Sequence, residues 1–165
     1  MIKLITSIIV YIVLIVLQFV LPKYVPMNLW LFYPNFILIF VVYIALNRGA
    51  MRGQLTGFFY GLTWDILAAD IFGVRALSFT VAGYLAGIFN KKLDKSQPLT
   101  QIIVTAVGLI VTQLVIDFVY IVMPLSDTTH YISGFELSYL ALLNILINLI
   151  LAPIVFKVFS SLEKF

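Results

Sequence analysis

Six apolar runs, each near the length that crosses a lipid bilayer, fill most of this sequence and leave little room for any other architecture. They lie near residues 4–21, 29–46, 54–71, 76–90, 99–123 and 135–159. A helix rises 1.5 Å per residue, so about 20 apolar residues span the hydrocarbon core. Between the runs stand turn and polar residues: Pro22 and Pro26, Asn47 to Gly53, Gly73, Asn90 to Pro98, and Pro124 to Gly134. Charged residues are 10% of the chain and mean hydropathy is +1.14, whereas soluble domains carry roughly 25% charge. The expectation is an all-α membrane protein of six transmembrane helices in a single bundle, one domain over residues 1–165, with the lipid bilayer as its solvent. The first run follows Lys3 but has no A-x-A-like cleavage site, so it reads as a retained helix and not as a signal peptide.

Charge placement sets the expected orientation. In a six-span arrangement Lys3, Arg48, Arg52, Lys91, Lys92, Lys95, Lys157 and Lys164 fall on one side, and Lys23 and Arg75 on the other. The positive-inside rule puts the richer side, with both termini, in the cytoplasm. The same placement accounts for the net charge of +3 as topology determinants, so no nucleic-acid partner is expected. Trp30, Tyr33, Tyr120, Tyr131 and Tyr139 then sit near the outer interface, where amphipathic rings are favoured.

The catalytic inventory is short. With no cysteine and one histidine, disulfides, thiol nucleophiles and clusters of imidazole metal ligands are excluded, and no metal or cofactor is expected. His130 lies in the polar outer loop and reads as a solvated side chain. No phosphate-cradling G-K-[ST] loop occurs. Asp65 and Asp117 invite comparison with a carboxylate dyad. Asp65 stands in Gly-Leu-Thr-Trp-Asp, however, not in the G-x-G-D setting of intramembrane aspartyl proteases, and Asp117 has no motif around it. The chain reads as a protein that is not an enzyme.

Small residues define the third and fourth runs. Gly53, Gly57, Gly61, Asp65 and Ala69 recur every fourth residue, and Ala82, Gly83, Ala86 and Gly87 answer them across the short connection 71–75. Lipid gives helices no hydrophobic reason to associate, so close backbone approach must do it, and small residues permit that approach. This pattern predicts an antiparallel hairpin, with Gly53, Gly57, Gly61, Gly83 and Gly87 as packing or partner-docking positions. A second pattern is polar. Asn35, Asp65, Gln113, Asp117, Asn144 and Asn148 all fall in the outer half of their runs, with Asp65 about 18 Å along its span. An ionisable group in hydrocarbon costs ~2.5–3.5 kcal/mol on insertion scales. The layer therefore reads either as a hydrogen-bonded network between helices or as an outward-opening cavity. Within it, Asp65 is expected to bond Asn35 or another side chain, or to be protonated. Arg75 is expected to pair with Asp70 across the outer turn.

Residues 57–87, GFFYGLTWDILAADIFGVRALSFTVAGYLAG, resemble the MreD family of bacterial rod-shape-determining membrane proteins in their G-F-x-x-G-L-x-x-D, F-G and G-Y-x-x-G elements. Upstream, Pro34–Asn35, an aliphatic run and Ala45-Leu46-Asn47-Arg48-Gly49 are similar to the family's P-[DN]-L…A-L-R-R-G segment. Asn35 stands where Asp is common, and Asn47 where a basic residue is frequent. The motifs cover Pro34 to Gly87; the remainder agrees in length and hydropathy. The resemblance implies a non-catalytic component of the elongation machinery in the bacterial cytoplasmic (inner) membrane. It implies binding to the transmembrane helix of MreC and, through it, indirect partnership with MreB, RodA and a class B penicillin-binding transpeptidase in peptidoglycan synthesis. It also implies the fold of the substrate-binding subunits of energy-coupling-factor transporters. Such a vitamin-transporter subunit is the alternative function, but those subunits dock through an A-x-x-x-A pattern in the first helix. The run LITSIIVYIVLIVLQFVL has neither Ala nor Gly.

Overall fold

The computed structural model describes residues 2–20, 24, 34–68, 71–123 and 139–162, with side chains described from 9 onward in the first helix (11 excepted) and from 144 to 161 in the last. Six long helices and no strand are found among the described residues: α1 (Ile2–Val20), α2 (Phe36–Arg48), α3 (Ala50–Ala68), α4 (Val74–Ile88), α5 (Pro98–Val122) and α6 (Tyr139–Leu162), with a 3-10 turn at Phe89–Lys91. α5 and residues 144–161 of α6 are long and apolar enough to cross a membrane by length and composition; α2 is apolar but shorter.

α2 is the centre of the molecule. It touches each of the other five helices, and every residue from Ile37 to Leu46 is buried. A helix apolar on all sides must be covered on all sides, and here the other helices do it. The sequence expected a span over 29–46. The helix occupies 13 residues, about 20 Å against a ~30 Å hydrocarbon core, and residues 29–33 lie outside the described set. Because protein and not lipid surrounds α2, its length need not match the bilayer. Its ring of neighbours includes Phe79 and Ala82 of α4, Tyr60 of α3 and Phe156 and Phe159 of α6. Phe40 meets Phe159 edge-on with centroids 4.7 Å apart, and Tyr43 meets Phe156 at 5.2 Å. Such aromatic pairs contribute about 0.5–1.5 kcal/mol each beyond area burial.

α2 and α3 are joined through the single residue Gly49, whose φ of +90° is open to glycine and strained for other residues. This tight joint lets α3 begin at Ala50, four residues before the expected start. Gly73, at φ +95°, opens α4 in the same way. A small satellite cluster of Val74, Ile116 and Tyr120 fills the space under the start of α4. Tyr120 is buried in that cluster, with its ring against protein. Trp30, Tyr33, Tyr131 and His130 lie outside the described residues, as does the side chain of Tyr139.

Candidate functional site

α3 and α4 pack backbone to backbone. A Cβ added at Gly53 would stand 2.5 Å from the carbonyl oxygen of Gly83, and one at Gly57 would stand 2.6 Å from the carbonyl carbon of Phe79. At Gly61 the obstacle is the Cα of Ala76 at 2.5 Å, and at Gly87 the nitrogen of Ala50 at 2.5 Å. Each step of four along α3 thus meets a step of four back along α4, which is antiparallel register. At this separation Cα–H groups lie against carbonyl oxygens of the facing helix, a contact worth about 0.5–1 kcal/mol in favourable geometry. The five glycines face each other's helices, so the surfaces that this hairpin offers outward are its flanks. There Met51, Leu55, Phe59 and Ile66 of α3, with Leu77, Tyr84 and Ile88 of α4, are exposed.

The polar residues divide into three groups. The first caps α2. Its amino end starts beside Asn148, about 14 Å along α6, where a buried backbone donor left unsatisfied would cost about 1–3 kcal/mol. The Asn35 side chain accepts from the Leu38 N–H at 3.0 Å. The Asn35 N–H donates to Asn148 Oδ1 at 2.7 Å, and the Phe36 N–H donates to Gln18 Oε1 of α1 at 3.1 Å. Asn148 is itself fixed by Nδ2–H bonds to Asn144 O and Oδ1, each 2.9 Å. The carboxyl end of α2 is met likewise: Asn90 Nδ2 donates to Leu46 O at 2.6 Å and Lys95 Nζ to Asn47 O at 3.3 Å, while Asn47 Nδ2 bonds one turn back to Tyr43 O at 2.9 Å.

The second group is Asp65. It is buried, and its two oxygens accept the N–H groups of Gly73 (3.0 Å), Arg75 (3.1 Å) and Ala76 (3.1 Å). Gly73 has no side chain to cap α4, so a carboxyl group from the neighbouring helix does it, at the end where the helix dipole favours negative charge. The expected side-chain partner for Asp65 is thus replaced by backbone. Asn35 serves α2 and Asp65 serves α4, and the described bonds do not join them. Arg75 is 5.3 Å from the ring centroid of Trp64, within cation–π reach; Asp70, its expected partner, lies outside the described residues. Trp64 in turn meets Phe19 at 5.0 Å and Phe79 at 6.1 Å.

The third group stands apart. Gln113 Nε2 donates to Asp117 Oδ1 at 2.8 Å on the outward face of α5. Asp65 and Asp117 are thus each engaged by a different partner.

Residues 1–162 match the family described as rod shape-determining protein MreD. The chain belongs to the MreD family. It is a bacterial membrane protein of the shape-determining kind. The resemblance carried by Pro34 to Gly87 therefore extends to helices that agreed only in hydropathy. No curated protein and no solved structure matches it. Within the family's P-[DN] segment, Asn35 now has a physical role: Asn and Asp are equivalent helix N-caps, so either fits. Asn47, where the family often has a basic residue, bonds one turn back to Tyr43 O and offers its own carbonyl to Lys95.

Gln18, Trp64 and Asn90 were not singled out from sequence, and Lys95 was read there only as a charge that sets orientation. Gln18 did carry a signal, as the lone amide in an apolar run. The targets of Asn90 and Lys95 are carbonyls more than 40 residues away, which residue type does not announce.

Proposed function

We propose that this protein is a non-catalytic scaffold of the bacterial elongation machinery that binds the transmembrane helix of MreC. With MreC it helps couple MreB filaments to peptidoglycan synthesis, and RodA and a class B penicillin-binding transpeptidase are indirect partners. The observation that carries this reading is the family match over residues 1–162. Both termini are cytoplasmic on the positive-inside argument, with six helices crossing the inner membrane. The docking surface is the outward flank of the α3–α4 hairpin, because its apolar residues recur at helical spacing on two adjacent helices. The engagement of Asn35, Asn148 and Asp65 with helix ends favours a structural role for these polar residues over a vitamin cavity.

The chain contains no cysteine, which makes disulfide mapping direct. Leu55→Cys and Phe59→Cys on α3 should cross-link to cysteines placed along the MreC helix, while Ile110→Cys on the exposed face of α5 should not. Cross-links confined to Ile110→Cys would move the docking face. Failure of the wild-type protein to co-purify MreC would remove the partner.

A further inference from the structure

A crevice of about 580 Å³ opens at the end of the bundle where the basic residues gather, between the start of α5 and the last turns of α6. Lys95, Ser96 and Gln101 line one wall, and Lys157 and Ser160 the other. Tyr43, Phe156 and Ile154 add apolar and aromatic surface, and Ile154 is exposed on the side of the bundle. The lining thus runs from hydrocarbon to ammonium and hydroxyl, which is the polarity profile of a phospholipid at a bilayer surface. Lys95 is half-buried, and its ammonium group donates to the backbone carbonyl of Asn47. Neither lysine is in an ion pair among the described residues. Two ammonium groups facing one opening without a carboxylate favour an anion there. At the start of α5 the Asp94 carboxylate already accepts from the Ser96 N–H at 3.0 Å and from Gln97 Nε2 at 3.3 Å, so that helix end is met and the two lysines alone supply the charge for a ligand. Pro153 in the opposite wall interrupts the hydrogen-bond ladder of α6 beside the opening.

We propose that this crevice binds the phosphate of an anionic phospholipid, with Lys95 and Lys157 on the headgroup and an acyl chain along Ile154. Basic pockets between helices at a cytoplasmic membrane face are suited to such headgroups. The choice of the inner leaflet rests on the orientation proposed above; the binding chemistry does not.

The test uses the full chain purified in detergent and examined by native mass spectrometry with added phosphatidylglycerol, and again with phosphatidylcholine. Phosphatidylglycerol should be retained in preference to phosphatidylcholine. A Lys95→Ala/Lys157→Ala double variant should lose at least tenfold in retention, from about fivefold per lysine at a membrane surface. The control Lys91→Ala/Lys92→Ala removes two charges from the same end outside the crevice and should retain the lipid. Equal loss from both double variants would assign the effect to diffuse surface charge and overturn the site, as would retention by the first. Inorganic phosphate at millimolar concentration should leave the lipid in place; displacement by it would mean a free-phosphate site. If the first variant lost MreC while keeping the lipid, the crevice would be a protein contact instead. Retention of lipid does not depend on MreC, so failure here leaves the scaffold reading standing, and the reverse.

Discussion

Asp65 holds three N–H groups of a helix other than its own, so each replacement removes a definite number of bonds. Asp65→Asn keeps one acceptor oxygen and turns a donor toward donors. It should lower stability by about 1–2 kcal/mol, in line with the loss of one or two hydrogen bonds at a buried site. Asp65→Ala leaves all three donors without a partner where water is scarce and should cost ~3 kcal/mol or more. Unfolding of the purified protein in mixed micelles with increasing SDS should rank wild type above the Asn variant and the Asn variant above the Ala variant. Equal midpoints would deny the cap any role. Asn35→Asp should be close to neutral, whereas Asn35→Ala should cost ~1 kcal/mol, because only the first preserves an N-cap. The residue types of these sites were legible in the sequence, since an Asp in an apolar run demands an account. Their partners were not, because a backbone N–H leaves no mark in residue identity.

Among the helices, the contact between α3 and α4 was the most legible, because close approach needs small residues and these recur every fourth position on both. A backbone obstacle and a side-chain obstacle should differ in cost. Gly57→Ala puts its Cβ against the Phe79 peptide group, which cannot move without parting the helices. It should destabilise by about 1–3 kcal/mol, the cost of overpacking. Gly108→Ala on α5 meets only the Cγ2 of Val42 at 3.0 Å, a side-chain methyl that can shift by a few tenths of an ångström, so its cost should stay under ~1 kcal/mol. The same SDS titration compares them, and a Gly108→Ala loss matching that of Gly57→Ala would contradict the distinction. The central place of α2 was not legible. A uniformly apolar run reads alike whether lipid or protein surrounds it, and only the caps at both ends, drawn from α1, α6 and the segment after α4, mark this helix as enclosed.

Over the whole molecule, the charge asymmetry read from the sequence has a counterpart in space. Arg48 closes α2, Arg52 lies in the first turn of α3, and the 3-10 turn carrying Lys91 is tied to the end of α2 through Asn90. Lys95 bonds the end of α2 and shares a crevice with Lys157. Gln18, late in α1, reaches the start of α2, so the two run antiparallel and the beginning of α1 belongs to the same basic end. Arg75 is at the other end with Asp65 and Trp64. One end of the bundle is therefore basic by construction, and the positive-inside rule turns that geometry into a direction across the membrane. The absence of native cysteine makes the direction measurable. Phe72, in the turn between α3 and α4, is highly exposed, and so is Lys92 at the basic end. In spheroplasts, a membrane-impermeant maleimide should label Phe72→Cys at once and label Lys92→Cys only after lysis. The opposite pattern would invert the molecule, and with it the leaflet assigned to the Lys95–Lys157 crevice. Labelling of both before lysis would place the two ends of one hairpin on the same side, which α3 and α4 could not then span.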